Sequence, residues 1–344
     1  MYRNILILFL VVAQSCQTTY QPRKEINPTI QEFKQDSISI RAIQIVDKNT
    51  VYYAGSNGSF GYTQDAGKTW AKTKITYQDS IKPSFRSIAS NGTDLFILSI
   101  ESPALLYKIS SDKTELVYTE NHPKVFYDSM AFFDELNGIA MGDPTEDCLS
   151  IITTNDGGKT WEKTDCSNLP KTIEGEAVFA ASNTNIKIID NTVWLVSGGT
   201  KARVFKSSDK GISWQVFDTP IIQGKGSQGI YSVDFYDKNN GFIIGGDYSN
   251  PKENQQNKAV TTDGGKTWQL VAQGKDPNYR SCVQYIPNTN GKELIAVGVM
   301  GVSFSNDAGK TWKKVSDASY FTIQFIDKNT AWLGGHQKMG LMRF

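Results

Sequence analysis

The sequence predicts an all-β fold of repeated four-stranded units closed into a ring, and three observations predict it. The first is an eight-residue pattern with Thr or Ser, then Asp two positions on, then Gly, Thr or Ser, and Trp. It reads Thr63-Gln64-Asp65-Ala66-Gly67-Lys68-Thr69-Trp70 and recurs with Asp156, Asp209, Asp263 and Asp307 at the acidic position. The second is a paired run upstream of the turn, such as Arg41–Asp47 with Tyr52–Gly55 and Phe321–Asp327 with Ala331–Gly335. Each is an apolar stretch ending in Asp, then a shorter one ending in Gly, as two strands joined by a tight turn require. The third is spacing: units begin near residues 41, 86, 128, 176, 231, 280 and 321.

The eight-residue pattern is a hairpin turn. Asp at the start of a tight turn accepts hydrogen bonds from backbone N–H groups that follow it. The Gly two positions later supplies a positive φ that other residues resist. The Trp offers a large apolar ring to a neighbouring sheet. The second unit keeps a decayed turn at Ser110-Ser111-Asp112-Lys113-Thr114, which explains the long interval between Asp65 and Asp156. The last unit reaches Phe344 after three strands, and the residues around Ile30 to Ser37 are free to supply its fourth. Pairing the two ends of the chain in one sheet would remove the open edges. The expectation is a seven-bladed β-propeller over residues 30–344 as one domain, with six blades as the runner-up.

The chain ahead of the propeller reads as an export signal. Arg3 precedes the apolar run Ile5–Ala13, too short for a mature membrane span and suited to a signal peptide over residues 1–15. Ala13-Gln14-Ser15-Cys16 resembles a bacterial lipobox, which makes Cys16 the expected lipid-attachment residue. Residues 16–29 then read as that Cys and a flexible tether. The expected location is the periplasm or outer membrane, with membrane contact through the lipid alone.

Charge and cysteines narrow the chemistry. With 36 basic and 35 acidic residues among 344, the formal charge is +1 and the lysines are scattered, a balance that points away from nucleic acid. Cys148 and Cys166 flank the Asp156 turn symmetrically and should face each other across its antiparallel pair, so a disulfide between them is expected, contributing about 3 kcal/mol. Cys282 lies in an apolar run and reads as a buried free thiol. With His122 and His336 the only histidines, there is no Cys–His metal set, and no cofactor is expected.

A ring of units predicts one candidate site. If the first strand of each unit is innermost, Arg41, Arg86, Asp128, Glu176, Tyr231, Arg280 and Phe321 occupy equivalent positions around one channel mouth, opposite the Asp turns. Asp143, Lys201, Arg203, Asp247, Tyr248 and His336 fall on loops over that mouth. Guanidinium groups suit carboxylates and phosphates, so an anionic or polar ligand is one reading. Mutual neutralisation of the arginines by Asp128 and Glu176 is the other, because buried charges need partners in any case.

The five turns resemble the Asp-box (BNR) motif of sialidase-like propellers, in which the motif is structural and lies away from the ligand site. The whole of residues 30–344 is similar to the seven-bladed family of photosystem II stability/assembly factors, bacterial branch. Glu174-Gly175-Glu176-Ala177-Val178-Phe179-Ala180-Ala181-Ser182-Asn183 and Gly245-Gly246-Asp247-Tyr248 carry that likeness beyond the turns. The resemblance implies a non-catalytic, monomeric envelope protein that binds a protein partner or an acidic or carbohydrate ligand and aids assembly of a membrane complex. Arg41, Arg86 and Arg280 are the residues to which the family's arginine patch would correspond. The alternative is a sialidase-type glycosidase on an acidic glycan, with three arginines, Tyr231, Glu176 and Asp128. Against it, Arg41 is followed by Ala42 and Ile43 where sialidases carry Arg-Ile-Pro. A redox reading finds no support, since Gly55–Gly61 lacks a dinucleotide fingerprint and opens no helix.

Overall fold

A computed structural model describes residues 20–344, and Cys16 and the expected signal peptide lie outside the described residues. Apart from one three-residue 3-10 turn at Cys166–Asn168, every regular element described is a strand. No helix among the described residues is long and apolar enough to cross a membrane.

The strands assemble into six hydrogen-bonded sheets, two of six strands and four of four. By its sheets the propeller is six-bladed, and the expectation of seven blades is corrected. The reason is the strand Thr29–Ile45, which runs through two units without a break. Its first part pairs with the last strand of the chain, from Thr29 opposite Arg343 to Lys34 opposite Lys338. Its second part pairs with Val51–Gly55, from Ile40 opposite Gly55 to Ile45 opposite Val51. Ser37, at φ 60°, marks the bend between them. What reads in sequence as a first and a last unit is therefore one six-stranded sheet, and this sheet joins the two ends of the chain.

The five repeated turns share one hydrogen-bond plan. In the first, Thr63 Oγ1 donates to Asp65 Oδ1 at 2.8 Å and accepts from the Gly67 N–H at 2.9 Å. Asp65 in turn accepts the Thr69 N–H at 2.8 Å and the Thr69 hydroxyl at 2.7 Å. The same four bonds recur around Asp156, Asp209, Asp263 and Asp307. Each turn also holds adjacent units together. Gly158 lies against Phe96, Gly265 against Trp194 and Gly309 against Phe242, all on strands of the preceding unit. The core is accordingly a set of clusters between neighbouring units, such as Trp194, Val196, Ile230, Phe235 and Ile243.

Two local expectations change. Residues 20–28, read as part of a flexible tether, pack on the propeller, with Ile26 buried between the Leu294–Gly298 sheet and the closing sheet. Cys148 and Cys166 form a disulfide with Cα atoms 5.6 Å apart. They do not face each other across the turn's hairpin, however, because the strand after the turn is only Glu162–Lys163 and Cys166 lies beyond it in the 3-10 turn.

Candidate functional site

The innermost strands reach the mouth with a β-bulge in four units. Pairing shifts register between Ile40 and Ala42, between Phe85 and Ser87, between Tyr127 and Ser129, and between Ile230 and Ser232. The extra residues are Arg41, Arg86, Asp128 and Tyr231. A bulge re-aims the side chain of its extra residue out of the alternation of the strand, and these four ring positions are marked by one.

The fourth unit departs from the others. Its innermost strand is Ile186–Ile189, ten residues later than the sequence pattern places it, and Glu176 pairs with Gly199 on another sheet. The intervening residues Phe179–Asn185 cross the channel. Arg41 Nη1 donates to the Ala181 carbonyl at 3.1 Å and Arg86 Nη1 to the Ala180 carbonyl at 3.2 Å. Ser182 Oγ donates to the Ser281 carbonyl at 2.6 Å, and Asn183 Nδ2 to the Ile88 carbonyl at 2.9 Å. The crossing segment thus divides the channel, with a cavity of ≈ 530 Å³ on the mouth side and one of ≈ 280 Å³ on the turn side.

The mouth cavity has cationic and aromatic walls. Arg41 and Arg86 line it with Phe179, Tyr231, Tyr279 and Phe321. The Arg41 guanidinium lies 3.9 Å over the Phe321 ring, and Tyr231 stacks on Phe179 at 4.0 Å. Tyr248 and Val299 extend the wall at the rim, where both are exposed. Neither Arg41 nor Arg86 forms an ion pair among the described residues. Burial, and then the charge of Arg86, pull Arg41 down to about 10. Burial also lowers Arg86, against the opposing pull of Asp128.

Two acids stand beside the arginines. Asp143 lines the cavity and accepts the Val178 N–H at 2.7 Å, and burial raises its carboxyl to about 6. Asp128 is fully buried and does not line the cavity. Burial, then the charge of Asp143, push it well above the usual carboxylate range, and Arg86 opposes this. The backbone N–H groups of Asp143 and Ala180 lie near it, yet neither oxygen makes a hydrogen bond of good geometry.

The other expected site residues are engaged elsewhere. Glu176 is buried and bound by Arg203 at 2.5 and 3.0 Å and by the Ser197 hydroxyl at 2.5 Å. Arg280 is buried against Ser303 and Asp276, with Nη2 2.9 Å from the Ser303 hydroxyl. Asp247 is taken up by Ser249 and Gln228. The ring therefore neither converges as one site nor closes on itself: Arg41, Arg86, Tyr231, Asp143 and Tyr248 meet, and Glu176, Arg280 and Asp247 do not join them. Tyr231 donates to the Ser227 carbonyl at 2.8 Å, so the Tyr–Glu pair of a sialidase is not assembled. Lys201 pairs with Asp218 and His336 is exposed. No group of three or more His, Cys, Asp or Glu side chains among the described residues is arranged to hold a metal.

Comparison with known proteins agrees on the architecture. A solved structure described as YCF48 bound to D1 peptide superposes with a TM-score of 0.66, at 13% identity over 95% of this chain and 99% of that chain. The fold is a β-propeller. YCF48 from Cyanidioschyzon merolae gives 0.62 at 14% identity over 91% of this chain and 98% of that one. A catalytically inactive virginiamycin B lyase from Staphylococcus aureus, with quinupristin, gives 0.63 at 13% over 92% and 99%. The Sortilin-Vps10 family model, described as sortilin, neurotensin receptor 3, matches residues 149–283, under half of the chain. No curated protein matches the sequence. At these identities the likeness is one of fold, and a propeller hosts both binding proteins and enzymes.

Proposed function

We propose that this propeller is a non-catalytic binding protein whose mouth cavity receives an acidic segment of a protein partner. The observation that carries the reading is the pair Arg41 and Arg86, tied to main-chain carbonyls and facing a cavity of ≈ 530 Å³ walled by aromatic rings. Guanidinium groups without a carboxylate partner keep donors for one. Exposed Tyr248 and Val299 give the rim the aromatic and apolar character of a protein-contact surface. The likeness to a propeller solved with a peptide bound fits this reading. The alternative of a glycosidase loses support from the separation of Glu176 and Tyr231. We further propose export and a lipid anchor at Cys16, on the lipobox-like residues that precede it.

The test is photo-cross-linking from position 248, carrying benzoylphenylalanine in place of Tyr248, in intact envelope. A discrete adduct that disappears with Arg41→Glu or Arg86→Glu is expected. Adducts unchanged by both substitutions would remove the arginines from the site. Hydrolysis of a fluorogenic sialoside that is lost with Asp143→Asn would instead make the cavity catalytic.

A further inference from the structure

Residues 20–25 hold one fixed position on the face of the repeated turns. Glu293 carries no exposed surface, and it sits at the turn-face start of the strand Leu294–Gly298. Its carboxylate accepts the Tyr20 hydroxyl at 2.5 Å, the Arg23 N–H at 2.7 Å and the Arg23 side chain at 2.5 and 2.8 Å. Asn306, inside the repeated turn around Asp307, donates to the Arg23 carbonyl at 2.8 Å. The Arg23 guanidinium also lies 5.1 Å from the Phe344 ring. Lys313, on the strand leaving that turn, reaches Glu25 at 3.2 Å, and Ile26 enters the core beyond it. Releasing this segment would leave a buried carboxylate without a cation, which is strongly unfavourable. The chain therefore reaches Tyr20 across the turn face rather than across the mouth.

We infer that the propeller is held with its turn face toward the lipid surface and its arginine-lined mouth pointing away from it. The inference rests on the lipid anchor at Cys16 proposed above. Three residues lie between Cys16 and Tyr20, so the four steps of chain from one to the other reach about 14 Å at full extension. The mouth stands farther off by the length of a strand such as Leu294–Gly298, roughly 17 Å. A mouth facing the membrane would demand that these three residues pass around the whole blade, which they are too short to do. A partner segment would then enter the cavity from the aqueous side, not from within the bilayer.

Energy transfer from single fluorophores to the vesicle surface tests this. Lys266 is exposed on the turn face and Asn250 is exposed at the mouth. Lys266→Cys and Asn250→Cys would be labelled one at a time in the lipidated chain, whose other thiols are a disulfide and the buried Cys282. The labelled chains are added to vesicles of phosphatidylethanolamine and phosphatidylglycerol carrying a rhodamine headgroup lipid. Transfer from position 266 is expected to exceed transfer from position 250. Inserting a long Gly-Ser run between Thr19 and Tyr20 should erase the difference. Equal or reversed transfer in chains that float with the vesicles overturns the orientation and leaves the anchor standing. Chains that do not float, or that float equally well with Cys16→Ala, overturn the anchor and the orientation with it.

Discussion

Arg86 is bonded to the backbone of the segment crossing the channel, through the carbonyl of Ala180 at 3.2 Å, and forms no ion pair with Asp128. The relationship bears on the two readings of the charged ring, because Arg86 is not neutralised by Asp128. A guanidinium closed on an aspartate is spent, whereas one that rests on a neutral carbonyl keeps its charge for a ligand. Arg41 stands in the same relation to Ala181.

If that charge serves binding, removing it should cost the fold little. Arg86→Met keeps the aliphatic stem, gives up one hydrogen bond of about 1 kcal/mol and relieves the burial of a cation. The urea midpoint is expected to stay close to that of the parent while cross-linking from position 248 is lost. A large fall in the midpoint would make Arg86 a structural cation.

Acid titration should expose Asp143. Its carboxyl is raised to about 6 by burial, against an ordinary value of 3.8. Between these values the folded chain keeps a proton that the unfolded chain has released, so stability falls as pH rises through the window. Asp128, raised by burial, acts in the same direction. Asp65 and Asp209, held down to about 2 by the hydroxyls of Thr69 and Ser213, act below pH 3.8 and in the opposite sense. Asp143→Asn should therefore flatten the decline between pH 4 and 6 in denaturant titrations. An unchanged slope would mean that Asp143 ionises as an ordinary carboxyl.

Gly309 of a repeated turn predicts a contrast with Gly92, which lies in the tight turn between the strands Phe85–Ser90 and Leu95–Ser99. Gly92 has φ +97° and nothing within 4 Å of a Cβ, whereas Gly309 has φ +84° and a Cβ there would fall 2.1 Å from Phe242 Cε2. Gly92→Ala isolates the backbone term, about 1–2 kcal/mol. Gly309→Ala adds overpacking, a further cost of about 1–3 kcal/mol. Equal losses in thermal unfolding would show that the turn does not press on the preceding unit.

The sequence made the units legible because each carries its own punctuation: Asp47 and Asp327 close the first apolar runs, Gly55 and Gly335 end the second, and Asp65 to Asp307 mark the turns. Sheet count was not legible, since nothing in Thr29–Ile45 announces that one strand continues from the last unit into the first. Nor was the fourth unit. Glu176 fits the spacing of Asp128 and Tyr231, yet Gly175 and Gly199 at positive φ turn it toward Arg203, and the true inner strand starts at Ile186. The bulges left one trace. Arg41, Arg86 and Asp128 are charged residues inside otherwise apolar or small runs, which a regular strand in a packed sheet does not tolerate. Buried Lys258, bonded to Asn257, the Lys275 carbonyl and the Pro277 carbonyl, was missed for the opposite reason, since a lone Lys in a polar loop looks ordinary.

The tryptophans separate two views of what joins the units. From sequence, Trp268 at the end of its turn is the natural anchor. In the structure Trp268 is only half-buried, with its Nε1 donating to Gly265 in its own turn at 3.0 Å. Trp194, on the second strand of the preceding unit, is fully buried, stacks on Phe235 at 3.9 Å, and donates from Nε1 to the Gly264 carbonyl at 2.9 Å. The contact between units thus rests on Trp194, and the turn supplies the surface it grips. Trp194→Ala is expected to cost about 3–5 kcal/mol, the range for a core Trp truncation. Trp268→Ala should cost less, because the residue is only partly buried and the bond it loses is local to the turn. Denaturant unfolding of the two variants gives the comparison directly. A greater loss for Trp268→Ala would return the anchoring role to the repeated motif.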